Sequence, residues 1–492
     1  MRPIDLIKGI AVAAAAALAV AAGGCVKRQA LEPAWVVPVE CELLSAPPDV
    51  PDTVTVALFD AVGPDPAPVP RNAAQSLVYG HLYQTLTVLD CAGEVRGALA
   101  TSWEKHDGGR RWSFELGADK QFWDGRPVTA WDVEWWWETT MGDLPRFKSL
   151  IDSIAVAGDE TLVLHFNRKY GAAPRLLASS QFAVAAPSYD SRWPVGSGPF
   201  ERVPGDAESG HRSLVVRPAF NSNGPVIRFI LAAAGEARDL LDGTADAMIT
   251  TDPDVIDYAR TRRRFSVEAL PWDRTYVYLS TERVRQIRDG ADPPAVSEDT
   301  RAQLAADAVR VDARAHTGPS WWEAAGDCRN DSPPSAPLLD YAREALTSQP
   351  PRVVYDATDP VARGLAERIV ALSADRSAAA PFAPVDSGYE AKLLIAAGLD
   401  GRELSTSLRF GNDFAYILAL PLYVPDPCVE SQWFFSTILW LNTLGSSIGK
   451  ALVPLVDTRP TLIANPDKTG AAADGFGGVL LYGWTRVGDD LP

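Results

Sequence analysis

The residues able to do covalent chemistry in this 492-residue chain are few and poorly spaced for it. "GSSIG", Gly445 to Gly449, fits G-x-S-x-G, the strained turn that exposes a nucleophilic serine at the end of a strand. In that architecture the histidine follows the serine, whereas His81, His106, His165, His211 and His316 all precede Ser447. No two histidines stand three or four residues apart and no Cys-x-x-Cys occurs, so the usual spacings of a zinc site are missing. "GFGG", Gly475 to Gly478, has no lysine or helix after it to complete a phosphate cradle. The sequence predicts a non-enzyme without metal or cofactor, and a hydrolase built on Ser447 is the reading that the missing histidine disfavours.

Aromatic residues are what the chain has in plenty, with 15 tryptophans. Trp131, Trp135, Trp136 and Trp137 crowd one short stretch, spread over more than one face of a helix. They read as a wide packing seam, with a ligand or partner surface as the alternative use.

Elements that would position such residues can be read locally. Trp112, Phe114 and Leu116 alternate with Arg111, Ser113 and Glu115, the period of a strand with one buried face. Asp124-Gly125 supplies a turn, and Thr129 three residues before Asp132 predicts a reciprocal cap on a new helix. "FWDGRPVTAWDV", Phe122 to Val133, therefore reads as the end of a strand region, a turn and a capped helix. "TVTVALF" at Thr53 to Phe59 reads as a first strand, and "VIRFILA", "GEARDLLDG" and "ADAMIT" follow in a β-α-β rhythm. The second half repeats the rhythm with "PLLDYAREAL", "RVVYDA", "VARGLAERIVAL" and "AYILALPLYV". The chain reads as two α/β bodies in series, with a strand-like tail, "GVLLYGWTRV", that must pair elsewhere.

Composition and the N-terminus bound location and partners. Arg2 and Lys8 precede an apolar run, Ile10 to Ala22, well short of the ~20 residues that cross a bilayer as a helix. It ends in "AAGGC", which has the form of a signal peptide and resembles the lipobox of bacterial lipoproteins. That resemblance implies cleavage before Cys25, lipidation of Cys25 and attachment to a membrane outside the cytoplasm, facing the periplasm or exterior. A net charge of −17 argues against nucleic acid and against an anionic membrane face. Cys41, Cys91, Cys328 and Cys428 are even in number in an oxidising compartment, where four cysteines allow three pairings. Sequence neighbourhood favours Cys41 with Cys91 and Cys328 with Cys428.

A series of motifs then runs through most of the chain. Leu99 to Trp103, "LATSW", precedes the aromatic strand and "FWDGRPVTAWDV"; "PVGSGPF" follows at Pro194 to Phe200, then "LLDGTADAMI" and "YVYLST". In order and interval these resemble the family-5 extracellular solute-binding proteins of ABC importers, the peptide and nickel receptor class. The resemblance implies an α/β, two-lobed periplasmic-binding-protein-like fold (class II, cluster C type) with an extra subdomain in lobe I. It implies a signal peptide over 1–24, a lipidated tether over 25–52, lobe I over 53–273 with its subdomain at about 74–190, lobe II over 274–472, and a return to lobe I over 473–492. It also implies a monomer that closes on a small-molecule or peptide ligand and presents it to ABC permease subunits.

One departure bears on ligand choice. "LALPLYVPDPCVESQWFF" resembles the region where peptide receptors of the family place an aspartate for the substrate's ammonium group. Aligned on the tyrosine that place holds Leu422, and aligned on "PDP" it holds Tyr423, neither of them charged, so capture of a peptide N-terminus would need Asp426 or Asp413 to move in. The candidate ligand contacts are Tyr79, Tyr278, Tyr416, Leu422, Tyr423 and Trp433, each balanced against a packing role.

Overall fold

In the computed structural model the described residues run from 41 to 482, apart from 141–146, 148–149, 204–212, 221–223, 324–351, 375–381, 383–393 and scattered positions, most of them between 425 and 448. Cys25, Cys328, Asp426, Trp433 and the helix expected at "PLLDYAREAL" lie outside them.

Two large sheets organise the described chain. The first has seven strands in the order Ser266–Ala269, Thr461–Ala464, Ala247–Thr250, Thr53–Leu58, Val226–Leu231, Ser213–Pro218 and Phe200–Arg202. The strand at Thr53–Leu58 lies between the two arms of the predicted β-α-β unit and pairs in parallel with both, Val56 opposite Phe229 and Ala247. Buried on both faces, such a strand carries Val54, Val56, Ala57 and Leu58 nearly without exposure.

The second sheet has six strands in the order Ala313–Ala315, Leu452–Thr458, Arg274–Ser280, Ala415–Pro421, Arg352–Asp356 and Ile395–Leu399. Its central strand splits its side chains between two cores, as strand alternation requires. Tyr276 and Tyr278 pack with the helix Pro360–Ala374, and Val277 and Leu279 pack with Trp321, Trp322 and Leu441.

An antiparallel four-stranded sheet, ordered Ala100–His106, Arg111–Leu116, Thr161–Phe166 and Ile151–Val156, holds the opening motif. Trp112, Phe114 and Leu116 are buried and their neighbours are not, as the alternation predicts. The helix Ala130–Thr140 begins with the expected box: Thr129 N donates to Asp132 Oδ2 at 2.9 Å, and Asp132 N to Thr129 Oγ1 at 3.3 Å. Of its four tryptophans, Trp136 and Trp137 are buried while Trp131 and Trp135 stand about half exposed, so the seam covers only part of the cluster.

The motif at Phe122–Gly125 docks onto the one at Pro194–Phe200. Trp123 N donates to the Gly196 carbonyl at 3.0 Å and Trp123 Nε1 to that of Gly198 at 3.2 Å. Both glycines lie against the end of the helix Ala73–Leu82: a Cβ on Gly196 would come within 2.1 Å of the Leu82 carbonyl oxygen, and one on Gly198 within 2.5 Å of that of His81. These paired motifs are scaffold.

The chain leaves the second sheet earlier than residue 473. Its strand ends at Thr458, and Thr461–Ala464 already pairs with Ala247–Thr250 and Ser266–Ala269 of the first sheet. Leu462, Ile463 and Ala464 are wholly apolar and buried, which suits a central strand there. Val479–Tyr482 pairs with Gly470–Ala473, which pairs with Glu42–Leu44. Leu481 O faces His81 Nε2 at 3.2 Å, fixing this small sheet to the helix Ala73–Leu82. Cys41 and Cys91 form a disulfide beside it; Cys428 is also disulfide-bonded.

Candidate functional site

The two large sheets are joined by two short crossings that run side by side. One is Leu270–Asp273, between Ser266–Ala269 and Arg274–Ser280; the other is Arg459–Pro460, between Leu452–Thr458 and Thr461–Ala464. Leu270 N donates to the Pro460 carbonyl at 3.0 Å and Asp273 N to that of Thr458 at 3.4 Å.

Register shows what faces these crossings. In the first sheet Ala269 and Thr250 both lie opposite Thr461, so the carboxyl ends of Thr53–Leu58, Val226–Leu231 and Ala247–Thr250 point toward the crossings. In the second, Arg274 lies opposite both Pro421 and Thr458, so the carboxyl ends of Ala415–Pro421, Arg352–Asp356 and Ile395–Leu399 do the same. Open α/β sheets bind ligands at the carboxyl ends of their strands, and here two sets of such ends meet at one place.

On the first-sheet side, Phe59 stands 41% exposed just past its strand. The following loop is held by the helix Ala73–Leu82: Gln75 Nε2 donates to the Ala61 carbonyl at 3.3 Å and Tyr79 OH to that of Gly63 at 2.5 Å. On the second-sheet side, Asp359 accepts the amides of Val361 and Ala362 at 2.9 and 3.0 Å, capping the helix Pro360–Ala374. Its other oxygen takes the Tyr276 hydroxyl at 2.8 Å, and the Arg274 guanidinium is drawn to both groups. The crossings carry Trp272, with the guanidinium carbons of Arg314 and Arg459 at 4.4 and 4.7 Å from its ring centre. Arg459 is paired with Asp312 and Arg314 with Asp457, each through Nε at 3.1 Å.

Asp457 anchors a buried chain just behind. It accepts Thr275 Oγ1 at 2.8 Å and His316 Nδ1 at 2.6 Å, and His316 Nε2 lies 3.2 Å from Ser320 Oγ. The order Ser320, His316, Asp457 is that of a hydrolytic triad. All three are buried, Ser320 at 5% exposure, so the hydroxyl is closed to a substrate carbonyl and the chain serves to tie three strands together. Ser447, by contrast, stands in a helical turn, and among the described residues between Pro421 and Leu452 no strand precedes it.

The expected contacts scatter. Tyr79 is buried, its hydroxyl pushed up to about 12 by desolvation. Tyr278 is a core residue edge-on to Phe382 at 5.2 Å. Tyr416 lies at the far end of its strand, bonded to Ser407 and accepting Asp413 N at 3.1 Å. Asp413 is itself buried and takes Arg352 Nε at 2.7 Å, so it is not free to stand in near Leu422. Among the described ones, only Leu422 and Tyr423 lie at the crossings: Leu422 N donates to the Asp273 carbonyl at 2.8 Å, and Tyr423 is 67% exposed. Trp272, Asp273, Arg314, Asp359 and Arg459 were not singled out in the sequence, although "LPWDR" directly before the strand "TYVYLS" marks the turn into the second sheet.

Residues 94–288 match the model of bacterial extracellular solute-binding proteins, family 5. A curated relative, the probable deoxycholate-binding periplasmic protein YgiS of Escherichia coli K12, is 39% identical over 74 residues, 15% of this chain and 14% of that protein. NikA from Brucella suis in complex with Fe(III)-EDTA aligns over 84% of this chain and 95% of its own, at 16% identity and a TM-score of 0.58. The dipeptide-binding protein of Pseudoalteromonas sp. SM9913 in complex with Met-Leu aligns over 87% and 98%, at 14% identity and a TM-score of 0.60. At such identities these two likenesses speak for the fold, which is α/β and two-lobed. The family match covers the middle of the chain, residues 94–288, and together with the shared fold it makes the chain similar to the family-5 bacterial extracellular solute-binding proteins, whose members are binding proteins and not enzymes.

Proposed function

We propose that the protein is a lipid-anchored extracytoplasmic receptor that captures a peptide-like or other small organic ligand between its lobes and delivers it to an ABC importer. The observation that carries this reading is the meeting of two sets of strand carboxyl ends at a pair of adjacent crossings. A ligand held there contacts both halves and favours the closed arrangement by its extra contacts. The lobes divide at the crossings, and a monomer anchored through Cys25 presents the filled cleft to the permease. Relatives that carry a dipeptide, a metal chelate or a name naming a bile acid fit a site for small organic solutes.

The uncharged Leu422 and Tyr423 favour a second reading, a family-fold lipoprotein that senses or holds an envelope partner without transport. A thermal-shift screen of the soluble form against peptides, bile acids, sugars and metal chelates separates them. A ligand at 100 times its Kd stabilises by about 2.7 kcal/mol. Failure of every solute class to shift the transition would overturn the receptor reading and leave the second.

A further inference from the structure

The helix Ala130–Thr140 turns two indoles and two carboxylates toward solvent. At helical spacing Val133, Trp136 and Trp137 point into the core, and Trp131, Trp135 and Glu138 project from the opposite side with Glu134 on its shoulder. Trp131 is 54% and Trp135 47% exposed, one turn apart, and no other helix among the described residues exposes two large aromatic side chains. The helix holds Asp132, Glu134 and Glu138 but no lysine or arginine. Asp132 is used in the cap with Thr129, whereas Glu134 and Glu138 form no ion pair among the described residues. Burial, with the charge of Glu138, holds the Glu134 carboxyl above its ordinary value. Like charges four residues apart weaken a helix, and exposed indoles gain nothing from the core. A single occupant with a positive charge and some apolar surface would offset both costs.

We propose that this face is a docking surface for a basic segment of a partner protein, its arginine or lysine side chains lying on the Trp131 and Trp135 rings and pairing with Glu134 and Glu138. A guanidinium over an indole is drawn by the ring's quadrupole, and the two carboxylates supply the complementary charge. Aromatic area alone would also suit a membrane interface, where tryptophan collects, but the carboxylates beside these rings oppose anionic headgroups. A second copy of the chain is disfavoured too, because a net charge of −17 makes copies repel. The helix packs on the strands Thr161–Phe166 and Ile151–Val156 of the four-stranded sheet, outside the two large sheets that meet at the crossings. A docked segment therefore leaves the crossings to the solute. The proposal goes beyond the receptor reading and rests on it only in naming the importer as the partner that carries the segment.

The test is calorimetric titration of the soluble chain, at low and at physiological salt, with a synthetic peptide of alternating arginine and leucine and with its glutamate-for-arginine counterpart. The first should bind and the second should not. Two paired variants, Trp131→Ala with Trp135→Ala and Glu134→Gln with Glu138→Gln, should each weaken the arginine peptide by about 10-fold or more, as loss of central contacts does in an interface. Glu298→Gln with Asp299→Asn removes the same charge from a different helix and should leave binding unchanged. The glutamine pair keeps side-chain volume and should melt no lower than the wild type, so it decides the matter even where the alanine pair unfolds early. Equal affinity of the wild type and the glutamine pair overturns the proposal. An equal loss in the Glu298 and Asp299 control overturns it as well, by assigning binding to net charge. Retention on phosphatidylcholine vesicles that is lost with the two tryptophans, or a tryptophan-dependent dimer in sedimentation, overturns it in favour of a lipid surface or a second copy. The solute screen reads the receptor role separately: a protein that takes the arginine peptide at this face and no solute keeps the docking surface and loses the receptor reading.

Discussion

Asp457→Ala should destabilise the second sheet more than any other single polar truncation near the crossings. The carboxylate is fully buried and holds Thr275, His316 and Arg314 on two neighbouring strands and the segment that follows one of them. Removing it leaves the Thr275 hydroxyl and a His316 ring nitrogen buried without their partner, at about 1–3 kcal/mol each. Arg314 is 42% exposed and can turn to water, so its loss adds little. The sum is about 2–6 kcal/mol, which spans the range of breaking a buried charged pair. Asp457→Asn keeps the shape and one acceptor and should lose less than half as much. Urea unfolding of the soluble form, followed by tryptophan fluorescence and far-UV circular dichroism with coincident transitions, gives both values. A loss below 1 kcal/mol for Asp457→Ala, or equal losses for the two variants, would refute the view that this carboxylate ties the strands.

Other substitutions probe the scaffold and the crossing. Gly196→Ala should cost about 3 kcal/mol in the same assay, because its Cβ would meet the Leu82 carbonyl and the Trp123 ring, and main chain cannot step aside as a flexible side chain does. Asp132→Ala removes half of the box at the start of the helix Ala130–Thr140 and should cost about 1 kcal/mol. Desolvation pushes the Asp273 carboxyl up to about 6 from 3.8. Its charged form is therefore disfavoured by folding, so stability attributable to this group is highest below pH 4 and falls as pH rises toward 7. The loss is on the order of 2–3 kcal/mol before discounting for partial exposure. Asp273→Asn should remove that slope, and a variant whose melting temperature keeps the wild-type pH dependence between 4 and 7 counts against it.

What the sequence disclosed follows from how locally each feature is determined. The alternation of Arg111 to Leu116, the Asp124-Gly125 turn and the Thr129–Asp132 box depend on neighbours within a few residues, and all three are present. The crossing pair is different. Asp273 matters because Thr458, Leu422 and Arg274 surround it, and two of these are over a hundred residues away in the chain. No spacing rule connects them. Tyrosines were chosen as ligand contacts because their type serves both surfaces and cores, and nothing local says which; Tyr278 and Tyr416 went to cores because inward and outward positions on a central strand are both covered. The Ser320–His316–Asp457 chain escaped notice for the same reason, its members lying 4 and 141 residues apart.

Two parallel links between the halves, pinned to each other by main-chain hydrogen bonds, act like a door hung on two pins. A single link would let one half twist and slide over the other; a pair removes those freedoms and leaves one angle of swing. Opening then widens the mouth far from the axis while groups at the axis scarcely separate. In the proposed receptor, a solute gripped near the axis would keep that grip until late in opening, and its distal end would be the first part to meet water or the importer.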